Sequence, residues 1–229
     1  MNSIFSGQIF SLLILCTFHF LVDFMIGIWP VFKTMNNLDV AFAGIIWAIG
    51  ATCGEGMQMI FGRLSDAGYR KALILFGVAI SSAGALFAYA SQYFEYGLLF
   101  WLVCLGSGAF HPAAIGMVGR LNETRRATYI TIFAMFGALG LAVSQVTYAW
   151  AYLLTGANTL YLAIPAVMLV LFSLKRSVLP AGDNIKKKRV PFLAFLKFFN
   201  HRSLRLLYIS QVTNQALAWG VIFLLPDLL

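Results

Sequence analysis

An all-α, multispanning membrane protein is predicted by three features of this sequence. Seven apolar stretches are each long enough to cross a bilayer. The chain is 61% hydrophobic and only 10% charged, whereas a soluble domain needs about 25% charged residues. Lys and Arg gather in every second gap between the apolar stretches, as they do in cytoplasmic loops. Of 16 such residues, 15 lie in three clusters: Arg63, Arg70 and Lys71; Arg120, Arg125 and Arg126; and nine between Lys175 and Arg205. Only Lys33 stands apart.

A hydrocarbon core of about 30 Å takes roughly 20 helical residues. The stretches that meet this run over 6–32, 40–61, 72–90, 97–118, 127–153, 156–174 and 206–225. Lipid offers no partner to backbone polar groups, so only helices or closed barrels span it, and continuous apolar runs lack a barrel's alternation. The first stretch is too long for a signal-peptide core and has no basic start, so it stays attached as a span. The basic clusters put the N-terminus, the loops after the second and fourth spans and the 175–205 segment in the cytoplasm, in a bacterial inner (plasma) membrane. The gaps at 91–95 and 154–158 carry no basic residue and face outside.

The 175–205 segment is the expected domain boundary, with Pro180, Gly182 and Pro191 around Lys186, Lys187, Lys188 and Arg189. Phe192, Leu193, Phe195, Leu196, Phe198 and Phe199 with Lys197 read either as a short helix lying in the membrane surface or as part of a solvated basic connector. Residues 1–174 form the expected bundle and 206–229 a separate helix, which reads as the first of an incomplete second bundle.

The net charge of +8 is explained by this topology and by anionic lipid, not by nucleic acid. Cys16, Cys53 and Cys104 fall in apolar stretches and read as small buried hydrophobes. No Cys/His spacing for a metal and no phosphate loop is visible, so neither cofactor nor metal is expected and an ATP-driven pump is disfavoured.

Ionisable side chains at membrane depth are costly and mark functional sites by default. Four are present: His19, Asp23, Glu55 and His111. His19 and Asp23 are four apart and share a helix face, where they can share a proton. Glu55 lies eleven residues before Asp66, about 16 Å from the cytoplasmic end, and His111 nine before Arg120, about 14 Å from the same end. Comparable depth allows all four to line one cavity, with Asp23 and Glu55 as proton carriers and the two His residues as partners or substrate contacts. His19, His111 and Glu55 can alternatively be read as buried groups bonded to a neighbouring helix. Gln58 follows Glu55 by three residues, and Gln211, Asn214 and Gln215 share one face of the seventh span. Pro112 leaves the Gly108 carbonyl unbonded, so Gly106, Gly108 and Pro112 predict a bend. Ala134, Gly137, Ala138, Gly140 and Ser144 read as close helix contacts.

The loop Gly62-Arg63-Leu64-Ser65-Asp66-Ala67-Gly68-Tyr69-Arg70-Lys71 resembles the signature loop between helices 2 and 3 of the major facilitator superfamily. It departs from that pattern at Ala67, where a basic residue is usual, and at the second Gly, which comes one position early. The resemblance implies a six-helix N-terminal bundle built as a 3+3 inverted repeat, followed by the first helix of a second bundle. It also implies that Gly62, Asp66, Arg70 and Lys71 grip neighbouring helix ends and lock the outward-facing state. His19-Phe20-Leu21-Val22-Asp23 with Pro30, and Phe110-His111-Pro112, resemble the fosmidomycin-resistance-protein branch of drug exporters. The superfamily's Arg ahead of a Gly-x-Gly pair is missing, since Leu102 precedes Gly106 and Gly108. The expected function is therefore proton-coupled export of a small drug-like or polar metabolite, with no enzyme activity. Proton-coupled import is the runner-up. A non-transporting membrane scaffold is the reading if the chain ends naturally at residue 229.

Overall fold

The computed structural model describes residues 2–156, 158–176, 179 and 200–228, without the side chains of residues 2–6, 55 and 176. The described residues are helical throughout apart from short turns. They fall into two units, Met1–Ile185 and Lys186–Leu229.

The first unit holds α1 (Asn2–Met35), α2 (Val40–Leu64), α3 (Arg70–Ser81), α4 (Tyr93–Leu121), α5 (Arg126–Thr155) and α6 (Ile164–Arg176). An eight-residue 3-10 helix extends α3 over Ser82–Tyr89, and a short 3-10 turn precedes α6 over Leu160–Ala163. Local chemistry sets the ends. The Asp39 side chain accepts a hydrogen bond from the Phe42 amide and starts α2, as an N-cap acid should. Glu95 bonds the amides of Ser91 and Gln92 in a capping box that starts α4. Asn122 accepts the Arg125 amide in the turn between α4 and α5. Gly68, at φ 106°, breaks the π-helical turn Ser65–Tyr69 between α2 and α3, a conformation that a side-chain-bearing residue adopts only under strain.

Helix pairing follows the expected internal repeat. The helices in contact include α1 with α5, α2 with α4, α1 with α4, α3 with α6, α3 with α4 and α1 with α6. Exchanging α1–α3 for α4–α6 turns each of these pairs into another on the same list or into itself, whereas the α4–α5 and α1–α3 contacts have no such counterpart. Close crossings occur where side chains vanish. A Cβ on Gly106 would lie 2.6 Å from the Gly77 carbonyl of α3, and Gly54 of α2 would meet the Cys104 carbonyl at the same distance. Gly108 abuts Gly54, and Gly140 abuts the Phe20 backbone. Such small-residue contacts let helices approach where lipid gives no hydrophobic drive for association.

Among the described residues, four helical runs, Gly7–Met35, Val40–Tyr89, Tyr93–Leu121 and Arg126–Thr155, are long and apolar enough to cross a membrane. The second contains two of the seven predicted spans, joined across Gly68. The sixth predicted span is shorter than expected, because α5 ends at Gly156 (φ 63°) and the apolar helix resumes only over Leu160–Lys175. The second unit contributes α7 (Arg202–Leu228). It has the length of a span, but Gln211, Asn214 and Gln215 dilute its apolarity and it is not among the four. The basic run 186–189 and the apolar segment 192–199 lie outside the described residues. On α5, Met135, Leu139, Val146, Trp150, Leu153 and Leu154 are all exposed, an apolar surface suited to lipid rather than water.

Candidate functional site

His19 and Asp23 sit in the middle of α1, and His111 lies in α4 one turn past Gly108. At the α1–α4 contact their side chains converge. His19 Nε2 is 3.3 Å from Asp23 Oδ2, His111 Nε2 is 3.4 Å from Asp23 Oδ1, and the two Nε2 atoms are 3.1 Å apart. His19, Asp23 and His111 thus meet at one level of α1 and α4. His19 is buried, while Asp23 and His111 keep partial side-chain exposure of 17% and 28%.

The remaining ring nitrogens fix both imidazoles. His19 Nδ1 lies 2.7 Å from the Phe133 carbonyl of α5, and His111 Nδ1 lies 2.9 Å from the Ser107 carbonyl of its own helix. A carbonyl can only accept, so each Nδ1 carries the hydrogen and donates it. In the neutral ring each Nε2 then presents a lone pair, and both lone pairs face a carboxylate. Asp23 Oδ1 is buried with no hydrogen-bond donor. Electron pairs at 3.1–3.4 Å repel unless something positive lies among them. His19, Asp23 and His111 offer ligand atoms close enough together to accommodate a cation among them.

Three residues that the sequence marked only for packing, or not at all, seat this cluster. Phe133 stacks on His19 at 4.1 Å between ring centroids besides offering its carbonyl. The Ser107 hydroxyl lies 3.0 Å from His111 Nδ1. Gly137 of α5 faces the cluster with no room for a side chain, since a Cβ there would overlap the His19 ring and stand 2.6 Å from Asp23 Oδ2. The spacing of small residues in α5 was visible in sequence, but nothing local tied Gly137 to a site on α1. Gly140 and Ser144 are buried, whereas Ala134 and Ala138 are exposed.

Glu55 lies on α2, but its side chain is outside the described residues. Its neighbour Gly54 meets Cys104 and Gly108 of α4, so the Glu55 backbone is at the helix crossing one turn from His111. Gln58 is half-buried on α2. Gln211, Asn214 and Gln215 share an exposed face of α7, in the second unit. α4 remains helical through Pro112, and Gly106 and Gly108 serve the close crossings with α3 and α2 rather than only a bend.

The Gly62–Lys71 loop is tied to its surroundings chiefly through Arg70. Arg70 is buried, pairs with Asp66 at 3.7 Å, bonds the Ser65 hydroxyl at 3.2 Å and lies along Gly116 of α4. A Cβ added to Gly62 would lie 3.7 Å from Pro112 Cβ, in ordinary contact. Arg126, from the next basic cluster, lies along Gly119 of the same helix. Lys71 opens α3 beside Arg70.

Fold and site together define a multi-pass integral membrane protein whose repeated helical bundle carries an ionisable cluster between its first and fourth helices. The sequence pattern of the Major Facilitator Superfamily matches residues 12–228, and the chain belongs to that family. Among solved structures, it is similar to a bacterial homologue of the human lysosomal transporter Spinster, in an inward-facing and unoccupied conformation. The TM-score is 0.71 at 18% identity, over 96% of this chain and 55% of that one. At that identity the likeness concerns the fold, and this chain spans about half the length of the solved transporter. No curated protein matches the chain.

Proposed function

We propose that the chain is the N-terminal bundle, with the opening helix of the second bundle, of a secondary active transporter that works by alternating access. Residues 1–174 form one rocking bundle, 175–205 the cytoplasmic linker and 206–229 the start of the other. The N-terminus and the linker lie on the cytoplasmic side of a bacterial inner membrane, as the basic clusters indicate. Transport is export of a small drug-like or polar metabolite in exchange for protons, in the manner of the fosmidomycin-resistance branch that the His19–Asp23 and Phe110–Pro112 segments resemble.

The observation that carries this reading is the convergence of His19, Asp23 and His111 at the α1–α4 contact. Two bundles that rock about a midplane site need a group there that binds a cation in one state and releases it in the other. Asp23 and Glu55 take the proton-carrying roles, and the imidazoles hold Asp23 in place. Asp66, Arg70, Lys71 and Gly62 brace the cytoplasmic ends of α2, α3 and α4, so that the bundle turns as one body.

The test uses everted membrane vesicles containing the protein and a pH-reporting dye. Adding fosmidomycin or a transported polar metabolite should dissipate an imposed proton gradient, and Asp23→Asn or Glu55→Gln should abolish the response. Solute movement that is unchanged in both variants overturns the proton assignment. Gradient-driven accumulation on the opposite side makes the protein an importer.

A further inference from the structure

We propose that His19, Asp23 and His111 form a binding site for a divalent transition-metal cation, of the kind that accepts imidazole nitrogen and carboxylate oxygen together. The inference concerns the folded chain alone and holds whether or not protons drive transport.

Spacing is the first argument. A tetrahedral ion with bonds of about 2.0–2.1 Å holds its ligand atoms about 3.3–3.4 Å apart, the bond length multiplied by about 1.63. The three donor pairs here are separated by 3.1, 3.3 and 3.4 Å. A small shift of side chains brings all three donors onto one ion.

Orientation is the second argument. Imidazoles that ligate metals generally donate their other N–H to a carbonyl or carboxylate, which fixes the tautomer and aims the lone pair. Both rings already do this, His19 to Phe133 and His111 to Ser107. Asp23 Oδ1, buried and without a donor, supplies the negative charge that a dication needs. Three protein ligands leave a fourth position for water or a solute anion, and the partial exposure of Asp23 and His111 gives access to it.

Donor chemistry sets the class of ion. Two nitrogens and one carboxylate suit Zn²⁺, Co²⁺ and Ni²⁺, whereas Ca²⁺ and Mg²⁺ prefer all-oxygen shells. No local motif announces the site, because His19 and Asp23 lie 92 and 88 positions from His111 along the chain.

Co²⁺ is the probe, added to the 229-residue chain purified in detergent micelles. The expected result is one ion per chain, with the intense visible absorption of a four-coordinate N/O site. Zn²⁺ should bleach it, and Ca²⁺ or Mg²⁺ should not. Asp23→Asn and His111→Gln should each weaken binding at least about tenfold while the size-exclusion profile and thermal midpoint stay near the parent's. His201→Gln, in the other unit, should bind as the parent does. A folded parent chain that gives no visible bands overturns the proposal, and so do bands that persist with equal affinity in both site variants.

Discussion

The aromatic end of the first unit and the His–Asp cluster sit at different levels of the same two helices, and they are held by opposite means. Near the C-terminal end of α1, Trp29 and Phe32 meet Phe87, Tyr96 and Phe100 with ring centroids 5.3–6.1 Å apart. All are buried, and apart from Trp29 Nε1 on the Ala43 carbonyl at 3.4 Å and the Tyr96 hydroxyl on the Ala90 carbonyl at 3.2 Å their packing is apolar. A few turns back along α1, around the His19, Asp23 and His111 cluster, the neighbours are a carbonyl, a hydroxyl and a glycine as well as the Phe133 ring stacked on His19. The aromatic end gains dispersion from every atom it packs, so it is fixed by filling space. The cluster is fixed by directed hydrogen bonds and left short of positive charge, so it is built to change occupant. Stability and function are thereby divided along one helix, and variants should separate them.

The largest effect is expected where backbones touch. Gly106→Val would drive a branched side chain into the Gly77 carbonyl and the Ser81 amide, each 2.6 Å from a Cβ. It should destabilise the bundle by more than about 4 kcal/mol, in the range of severe core lesions, seen as loss of the monodisperse peak in detergent. Trp29→Ala comes next. Removing a fully buried indole should cost about 3 kcal/mol, read as a lower midpoint in detergent unfolding, while the His–Asp cluster keeps its cation. Asp23→Asn should do the reverse. An amide N–H can donate to an imidazole lone pair, so stability should change by less than about 1 kcal/mol while cation binding and coupling are lost. Smallest is Asp66→Asn. Its side chain is 60% exposed and its bridge to Arg70 spans 3.7 Å, so the stability change should stay below about 1 kcal/mol, and any larger loss should appear in transport rate.

Most of the fold was legible because lipid reduces the choices. Long apolar runs must be helices, and the placement of Arg63, Arg70, Arg120 and Arg126 marked where they turn. That α5 makes close helix contacts was legible in Gly137, Gly140 and Ser144, but that its partner is α1 was not. The short sixth helix was not, because the same apolar composition serves a 3-10 turn and a span, and a single glycine at positive φ decides between them. The site was half legible. His19 with Asp23 could be read from helical spacing and His111 from its depth, but their meeting depends on how α1 crosses α4, which no local pattern encodes. Phe133 and Ser107 act through backbone carbonyls, and a carbonyl leaves no mark in sequence. Gly137 acts by lacking a side chain, so it looked like any other packing glycine.

The central claim is that both imidazoles are clamped through Nδ1 and turn Nε2 toward Asp23. Nitrogen-15 NMR of histidine-labelled chain, with exposed His201 as internal reference, tests it most directly. The account predicts that His19 and His111 both carry hydrogen on Nδ1 when neutral, and that their Nε2 resonances move together when acid or Zn²⁺ is added. A bare Nδ1 on either ring in the folded chain, with its hydrogen on Nε2 instead, would contradict it.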